Sequence, residues 1–148
     1  GSEMCIRDSI QAAMGCAQME LIGEYIEAKL DIASKYADGL GNLPGIHLMS
    51  EAPWAESVYW LFTVLVDERE YGMDSRELLS NLGKAGVQSR PLWQPMHLSP
   101  AYADLNPSNC HVANQLYKNG LSLPCSVGLG DSQQFVLDIL NQLASTRE

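Results

Sequence analysis

Ser57-Val58-Tyr59-Trp60-Leu61-Phe62-Thr63-Val64-Leu65-Val66 is the stretch that decides the fold class. It is rich in β-branched and aromatic residues and too short for a typical helix, so it predicts a strand buried on both faces. Upstream, Met19, Ile22, Ile26, Leu30, Ala33, Ala37 and Leu40 recur at steps of three and four. That spacing predicts one long helix starting near Ile10, with Glu20, Glu24, Glu27, Asp31, Lys35 and Asp38 turned away from its apolar stripe. Gly41 and Pro44-Gly45 stop it, while Gly15 and Gly23 mark either close packing or a bend.

Downstream, Asp74 with Glu77 three residues on is a capping box that opens a helix through Lys84, closed at Gly86. Val87–Arg90 predicts a second strand, ended by Pro91. A proline-punctuated loop runs to Pro107, with Asn106-Pro107 as cap and first residue of a helix reaching Lys118 and closing at Asn119-Gly120. Leu121–Leu123 predicts a short strand. Asp131 and Gln134 open a last helix whose buried face is Phe135, Val136, Ile139, Leu140 and Leu143. Strands alternating with helices on a small sheet predict a two-layer α+β domain.

In the central strand, Trp60, Phe62, Val64 and Val66 are apolar on one side and Tyr59, Leu61 and Leu65 on the other. Helices cover one face of such a sheet, so the second face predicts cover from a neighbouring domain. At about 25 cal/mol per Å² of apolar surface, leaving it wet would cost several kcal/mol.

The net charge of -9 argues against nucleic-acid or anionic-membrane partners, which need a basic face to displace counterions. The longest apolar run, Val58–Val66, is far shorter than the roughly 20 residues of a membrane span. Cys5, Cys16, Cys110 and Cys125 form no C-x-x-C pair and predict buried, reduced thiols in a cytosolic protein. No self-sufficient catalytic motif is present: there is no G-x-S-x-G, Walker loop or H-E-x-x-H. His47 and His111 predict ordinary structural or surface roles.

His97 stands apart because of its company in Arg90-Pro91-Leu92-Trp93-Gln94-Pro95-Met96-His97. Pro91 and Pro95 stiffen the loop, which carries a cation, a flat aromatic and an imidazole. Arg90 can bridge a phosphate or carboxylate, and Trp93 can stack on a sugar or base. The plainer alternative packs Trp93 in the core and puts Arg90 in a surface ion pair.

Ile10-Gln11-Ala12-Ala13-Met14-Gly15-Cys16-Ala17-Gln18-Met19-Glu20 is similar to the I-Q-A-A-x-G-x-A-Q-L-E segment of DegT-type aminotransferases. Leu43-Pro44-Gly45-Ile46 resembles their L-P-G-I turn, and Tyr59-Trp60-Leu61-Phe62 their Y-W-x-F strand. Gly86–His97 resembles G-[IV]-x-x-R-P-x-W-x-P-x-H, and Leu121-Ser122-Leu123-Pro124-Cys125-Ser126 resembles L-S-L-P-x-S. The ordered set reaches from Ile10 to Ile139. The R-P-L-W-Q-P-M-H form most resembles enzymes that aminate nucleotide-linked 4-keto-6-deoxy sugars for surface polysaccharides, the legionaminic-acid and perosamine types.

The resemblance implies the C-terminal small domain, residues 10–148, of a fold-type I, pyridoxal-phosphate (PLP) aminotransferase. Its parent would be a cytoplasmic homodimer using glutamate as amino donor and a nucleotide sugar as substrate. The cofactor there acts as electron sink on a Schiff-base lysine supplied by a large N-terminal domain. Lys29 and Lys35 lie on the polar side of the long helix, and Lys84 and Lys118 in last turns where a cation suits the helix dipole. None predicts that lysine, so this piece alone is expected to be inactive and to bind PLP weakly or not at all. Arg90, Trp93 and His97 are implied to bind the nucleotide sugar from a loop over the active site, His97 nearest the chemistry. The family runs N-Y-R-M-[TS]-[ND] into I-Q-A-A; Met4 and Ile6 stand at the asparagine and arginine positions, so neither cofactor-phosphate residue is carried over. Gly1–Ser9 resembles translated adapter sequence and is expected to carry neither fold nor function. Two other readings stay open: a free-standing α+β binding domain, and a degenerate subunit paired with an active aminotransferase.

Overall fold

The structure, a computed structural model, describes residues 6–102, 104 and 110–145. A π-helical turn at Ile6–Gln11 leads into α1 (Ala12–Glu20) and then α2 (Ile22–Leu40). The single helix expected from near Ile10 is therefore two. The break falls at Leu21, whose ψ of 2° leaves helical geometry. Gly15 and Gly23 have nothing near their Cβ positions, so they mark the neighbourhood of the bend and not close packing.

The buried face of α2 also differs from the expected stripe. Ile32, Ala33, Tyr36 and Leu40 are buried, while Met19, Ile22, Leu30 and Ala37 are exposed. Tyr36 explains the rotation. Its ring stacks on Phe62 with centroids 4.9 Å apart, and its hydroxyl donates to the Pro124 carbonyl at 2.8 Å. An aromatic with a satisfied hydroxyl buries as well as an aliphatic, and it pulls Lys29 to the inner side with it.

The sheet has four strands: β1 (Ile46–Leu48), β2 (Phe62–Val66), β3 (Arg90–Pro91) and β4 (Gly120–Leu123). Their order is β1-β2-β4-β3, with every pairing antiparallel. Only half of the expected central strand enters the ladder, because Tyr59 adopts a left-handed φ of 44° and Ser57–Leu61 leaves the sheet. The expected Val87–Arg90 strand shrinks to Arg90–Pro91, and Pro91 is tolerated because β3 is an edge. Val87 instead closes the preceding helix. β1 is too short to show a pattern.

The register puts Phe62 opposite Leu123 and Val64 opposite Leu121, on the face shared with Ile46 and Val66. Against it pack Tyr36 and Leu40 of α2, Leu78 and Leu82 of α4 (Ser75–Lys84), and Val136 and Leu140 of α6 (Ser132–Ser145). Each fully buried leucine stabilises the fold by about 1.5–3 kcal/mol relative to exposure. The α6 face includes Gln133 and Leu137, while Phe135, expected inside, is 50% exposed.

The opposite face is not the apolar surface the sequence predicted. Tyr59 and Leu61 lie outside the ladder, and its centre is a buried hydroxyl pair, Thr63 Oγ1 and Ser122 Oγ at 3.0 Å. Leu92, from the loop after β3, lies on Gly120; a Cβ there would sit 2.1 Å from its Cδ1 and 2.6 Å from the Leu116 carbonyl. Only glycine permits that approach, so part of the second face is covered from within the chain.

Caps follow the local chemistry. Asp74 accepts from the N–H groups of Arg76 and Glu77, opening α4 as expected. Gly86, at φ 83°, ends it: Val87 N–H donates to the Leu82 carbonyl and Gly86 N–H to the Gly83 carbonyl. A one-turn helix not foreseen in the sequence, α3 (Glu68–Tyr71), is capped by Asp67 and buries Tyr71, whose hydroxyl donates to the Leu140 carbonyl at 2.8 Å. The helix before β4, α5 (His111–Asn119), runs into the strand with Gly120 at φ -82°, without a left-handed terminus. Its expected cap, Asn106-Pro107, lies outside the described residues. Among those described, no helix is long and apolar enough to cross a membrane.

Candidate functional site

α5 buries no residue of its own, so polar contacts to α4 fix its place. Ser75 Oγ donates to the Lys118 carbonyl and Arg76 Nη2 to the Tyr117 carbonyl at 2.8 Å, with the guanidinium 4.7 Å over the Tyr117 ring. This docking presents Asn114 to the proline-rich loop. After Pro95 the loop forms a 3-10 turn, Met96–Leu98, and His97 Nε2 lies 2.7 Å from Asn114 Oδ1. An amide oxygen only accepts, so in this contact Nε2 is the donor, which leaves Nδ1 on the other side of the ring. Gln94 Nε2 donates to the Leu98 carbonyl at 2.6 Å and closes the turn from inside.

Trp93 points outward, 70% exposed, and stacks on Trp60, 67% exposed, with centroids 5.7 Å apart and 26° between planes. The alternative that buried Trp93 in the core is thereby excluded. Arg90 is exposed on β3 opposite Ser122. It shares with Trp60 a groove of about 580 Å³ whose walls include Lys29, Gln88, Cys125 and Phe135. Arg90 and Trp93 thus meet through Trp60. His97 is turned toward α5 and does not line that groove. Sequence reasoning missed both Trp60, assigned to the strand's core face, and Asn114. The signal available for Trp60 was its place in the Y-W-x-F motif.

Lys29 is corrected most. Expected on the polar side of its helix, it reaches inward and donates to the carbonyls of Trp60 at 2.8 Å and Cys125 at 2.5 Å. Its Nζ lies 3.4 Å from Cys125 Sγ, and the Cys125 thiol donates to the same Trp60 carbonyl at 3.3 Å. The other lysines are peripheral. Lys35 pairs with Asp31 at 2.7 Å, Lys84 reaches Asn81 at 3.2 Å, and Lys118 sits in the last turn of α5. A Schiff-base lysine needs a free amine facing a cofactor cavity. Lys29 is engaged by two carbonyls, Lys35 by Asp31 and Lys84 by Asn81.

Burial, with Cys125 alongside, pushes the Tyr36 phenol well above its ordinary range; burial alone does so for Tyr71. The Glu77 N–H holds the Asp74 carboxyl below the usual value; burial opposes it, and the Arg76 N–H with the nearby Lys118 and Arg76 charges adds to the lowering. Cys125 is buried, Cys110 half-buried and Cys16 exposed, so the expectation of uniformly buried thiols fails at α1. Among the described residues no three His, Cys, Asp or Glu side chains cluster to hold a metal ion.

Residues 2–141 match the model of the DegT/DnrJ/EryC1/StrS aminotransferase family. The chain is 31% identical over 127 residues to GDP-perosamine synthase of Caulobacter vibrioides, covering 84% of this chain and 33% of that protein. It is 32% identical over 141 residues to dTDP-3-amino-3,4,6-trideoxy-alpha-D-glucose transaminase of Streptomyces venezuelae, covering 93% of this chain and 36% of the relative. The crystal structure of S. venezuelae DesV with a ketimine intermediate superposes with a TM-score of 0.81 at 31% identity, over 93% of this chain and 37% of that one. The chain thus spans about a third of the length of these relatives.

Proposed function

The chain belongs to the DegT/DnrJ/EryC1/StrS aminotransferase family, and from that premise we propose that residues 10–148 are the substrate-side small domain of a PLP-dependent nucleotide-sugar aminotransferase. The observation that carries this is the loop from Arg90 to His97. A fixed, exposed aromatic, a cation and an oriented imidazole stand on a stiff segment leaving the sheet edge.

In this reading Arg90 pairs with the substrate's phosphate, charge against charge. Trp93 supplies a flat face, and His97 Nδ1 accepts a hydrogen bond from a sugar hydroxyl. The relatives named GDP-perosamine synthase and dTDP-amino-sugar transaminase support a nucleotide-linked sugar. We extend this to a 4-keto-6-deoxy sugar, glutamate as donor, a cytoplasmic homodimer and a role in surface polysaccharide synthesis. In this reading the lysine that would hold the cofactor belongs to the part of such an enzyme that these 148 residues do not span. The exposed apolar side chains of the first turn, α1 and the start of α2, among them Ile10, Met14, Met19 and Ile22, supply surface for the rest of that protein to cover.

Adding PLP to the 148-residue chain and recording its visible spectrum is expected to show no aldimine band. A longer protein containing this chain is expected to show the band and to aminate a nucleotide-linked keto sugar at the expense of glutamate. A longer protein that binds PLP but refuses every nucleotide sugar would sink the proposal.

A further inference from the structure

Two large aromatics stacked on each other, each about two-thirds solvent-exposed, are not explained by packing within these residues. Burying either in the core would gain more, since aromatics carry the largest apolar surface of any side chain. The backbone goes out of its way to hold Trp60 there. Tyr59, which is not a glycine, takes a φ of 44° immediately before it, a conformation that costs an L-residue energy and that concentrates at functional sites. The Trp60 carbonyl is then held from behind by the Lys29 ammonium at 2.8 Å and the Cys125 thiol at 3.3 Å. The same ammonium also holds the Cys125 carbonyl, so one side chain of α2 ties together the segment before β2 and the segment after β4. Arg90 stands in the groove that Trp60 borders.

We propose that Trp60 is a second aromatic of the substrate face, that the Trp60–Trp93 pair receives the nucleobase of the nucleotide sugar, and that Lys29 is its positioning residue. This rests on the nucleotide-sugar reading above and adds to it which end of the substrate lies where. Stacking on an aromatic is available to every base and tolerates differences between them. Arg90, in the adjoining groove, suits the diphosphate that follows the base. His97, turned to α5 and outside that groove, is left for the sugar. Lys29 does not touch substrate in this scheme, because its ammonium is engaged with two main-chain carbonyls.

The test uses the full-length enzyme and two probes, GDP and dTDP, as competitive inhibitors against the nucleotide sugar. Trp60→Ala is expected to raise the inhibition constant of both about 10-fold, within the range of base–aromatic stacking, and to leave the glutamate KM unchanged. Trp60→Phe keeps most of the affinity. Lys29→Met is expected to reproduce part of the Trp60→Ala effect and to weaken the near-ultraviolet circular-dichroism couplet of the stacked pair; Lys29→Arg restores both. Unchanged inhibition constants in Trp60→Ala, with the nucleotide sugar still turned over, overturn this inference and leave the proposed function standing. A rise in the sugar-nucleotide KM without a change for GDP or dTDP also overturns it, since the sugar would then occupy the pair. A wild-type enzyme that binds neither diphosphate overturns both readings.

Discussion

His97 Nε2 and Asn114 Oδ1 lie 2.7 Å apart, joining the tip of the proline-rich loop to a helix that buries none of its own residues. Among the described residues, the Asn114 amide is what orients the ring. In the uncharged imidazole the Nε2–H tautomer of His97 is expected to dominate. Asn114→Ala should return it toward an ordinary mixture without loss of fold. Nitrogen-15 chemical shifts of the ring read this directly, and an unchanged tautomer in the variant would show that Asn114 does not orient it.

Tyr36 is fully buried, with its hydroxyl donating to the Pro124 carbonyl. Tyr36→Phe keeps the ring's stacking on Phe62 but leaves that carbonyl short of a donor, at an expected cost of about 1–2 kcal/mol in urea denaturation. The phenols of Tyr36 and Tyr71 titrate above their ordinary value of 10.0 when folded. Their contribution is complete below that value and erodes as pH rises past it, because the unfolded chain ionises first. Wild-type stability should therefore fall on the alkaline side, less steeply in Tyr36→Phe.

Asp74→Ala should cost about 1 kcal/mol, the usual value of an N-cap, by loss of the Arg76 and Glu77 N–H contacts. The folded carboxyl titrates below its ordinary value of 3.8, so its charge-dependent share is present above that pH and lost as pH falls through the lower folded value. Asp74→Asn keeps a cap and should flatten that acid-side slope. Denaturation midpoints from pH 2 to 6, taken as roughly bracketing carboxylate titration, decide it.

Gly120→Ala places a methyl against Leu92 and the Leu116 carbonyl. Overpacking of this kind costs about 1–3 kcal/mol. Because Leu92 neighbours Trp93, the variant should also disturb the Trp60–Trp93 spectral signal; a normal signal would mean that the loop is anchored elsewhere.

The α+β class, the ends of α4 and the irregular, proline-restricted segment after β3 were legible because each rests on local chemistry: an aspartate cap, a left-handed glycine, prolines that restrict neighbours. What was illegible rests on tertiary contacts. Counting only aliphatic steps on α2 left out Tyr36, whose buried ring sets the inward face, and so put Lys29 on the wrong side. Nothing in the composition of Ser57–Val66 shows that Tyr59 turns the chain and that Trp60 leaves the sheet for Trp93. Asn114 is an unremarked residue on an amphipathic helix until the loop is folded against it. β1 is too short to read at all.

The most direct test of the central claim is the steady-state kinetics of Arg90→Ala and His97→Ala in the full-length enzyme, with PLP affinity measured alongside. Both variants are expected to lose at least about 10-fold in kcat/KM for the nucleotide sugar, the scale of one charged or oriented hydrogen bond, while binding PLP as the wild type does. Wild-type kinetics in both would contradict the assignment of this loop to substrate.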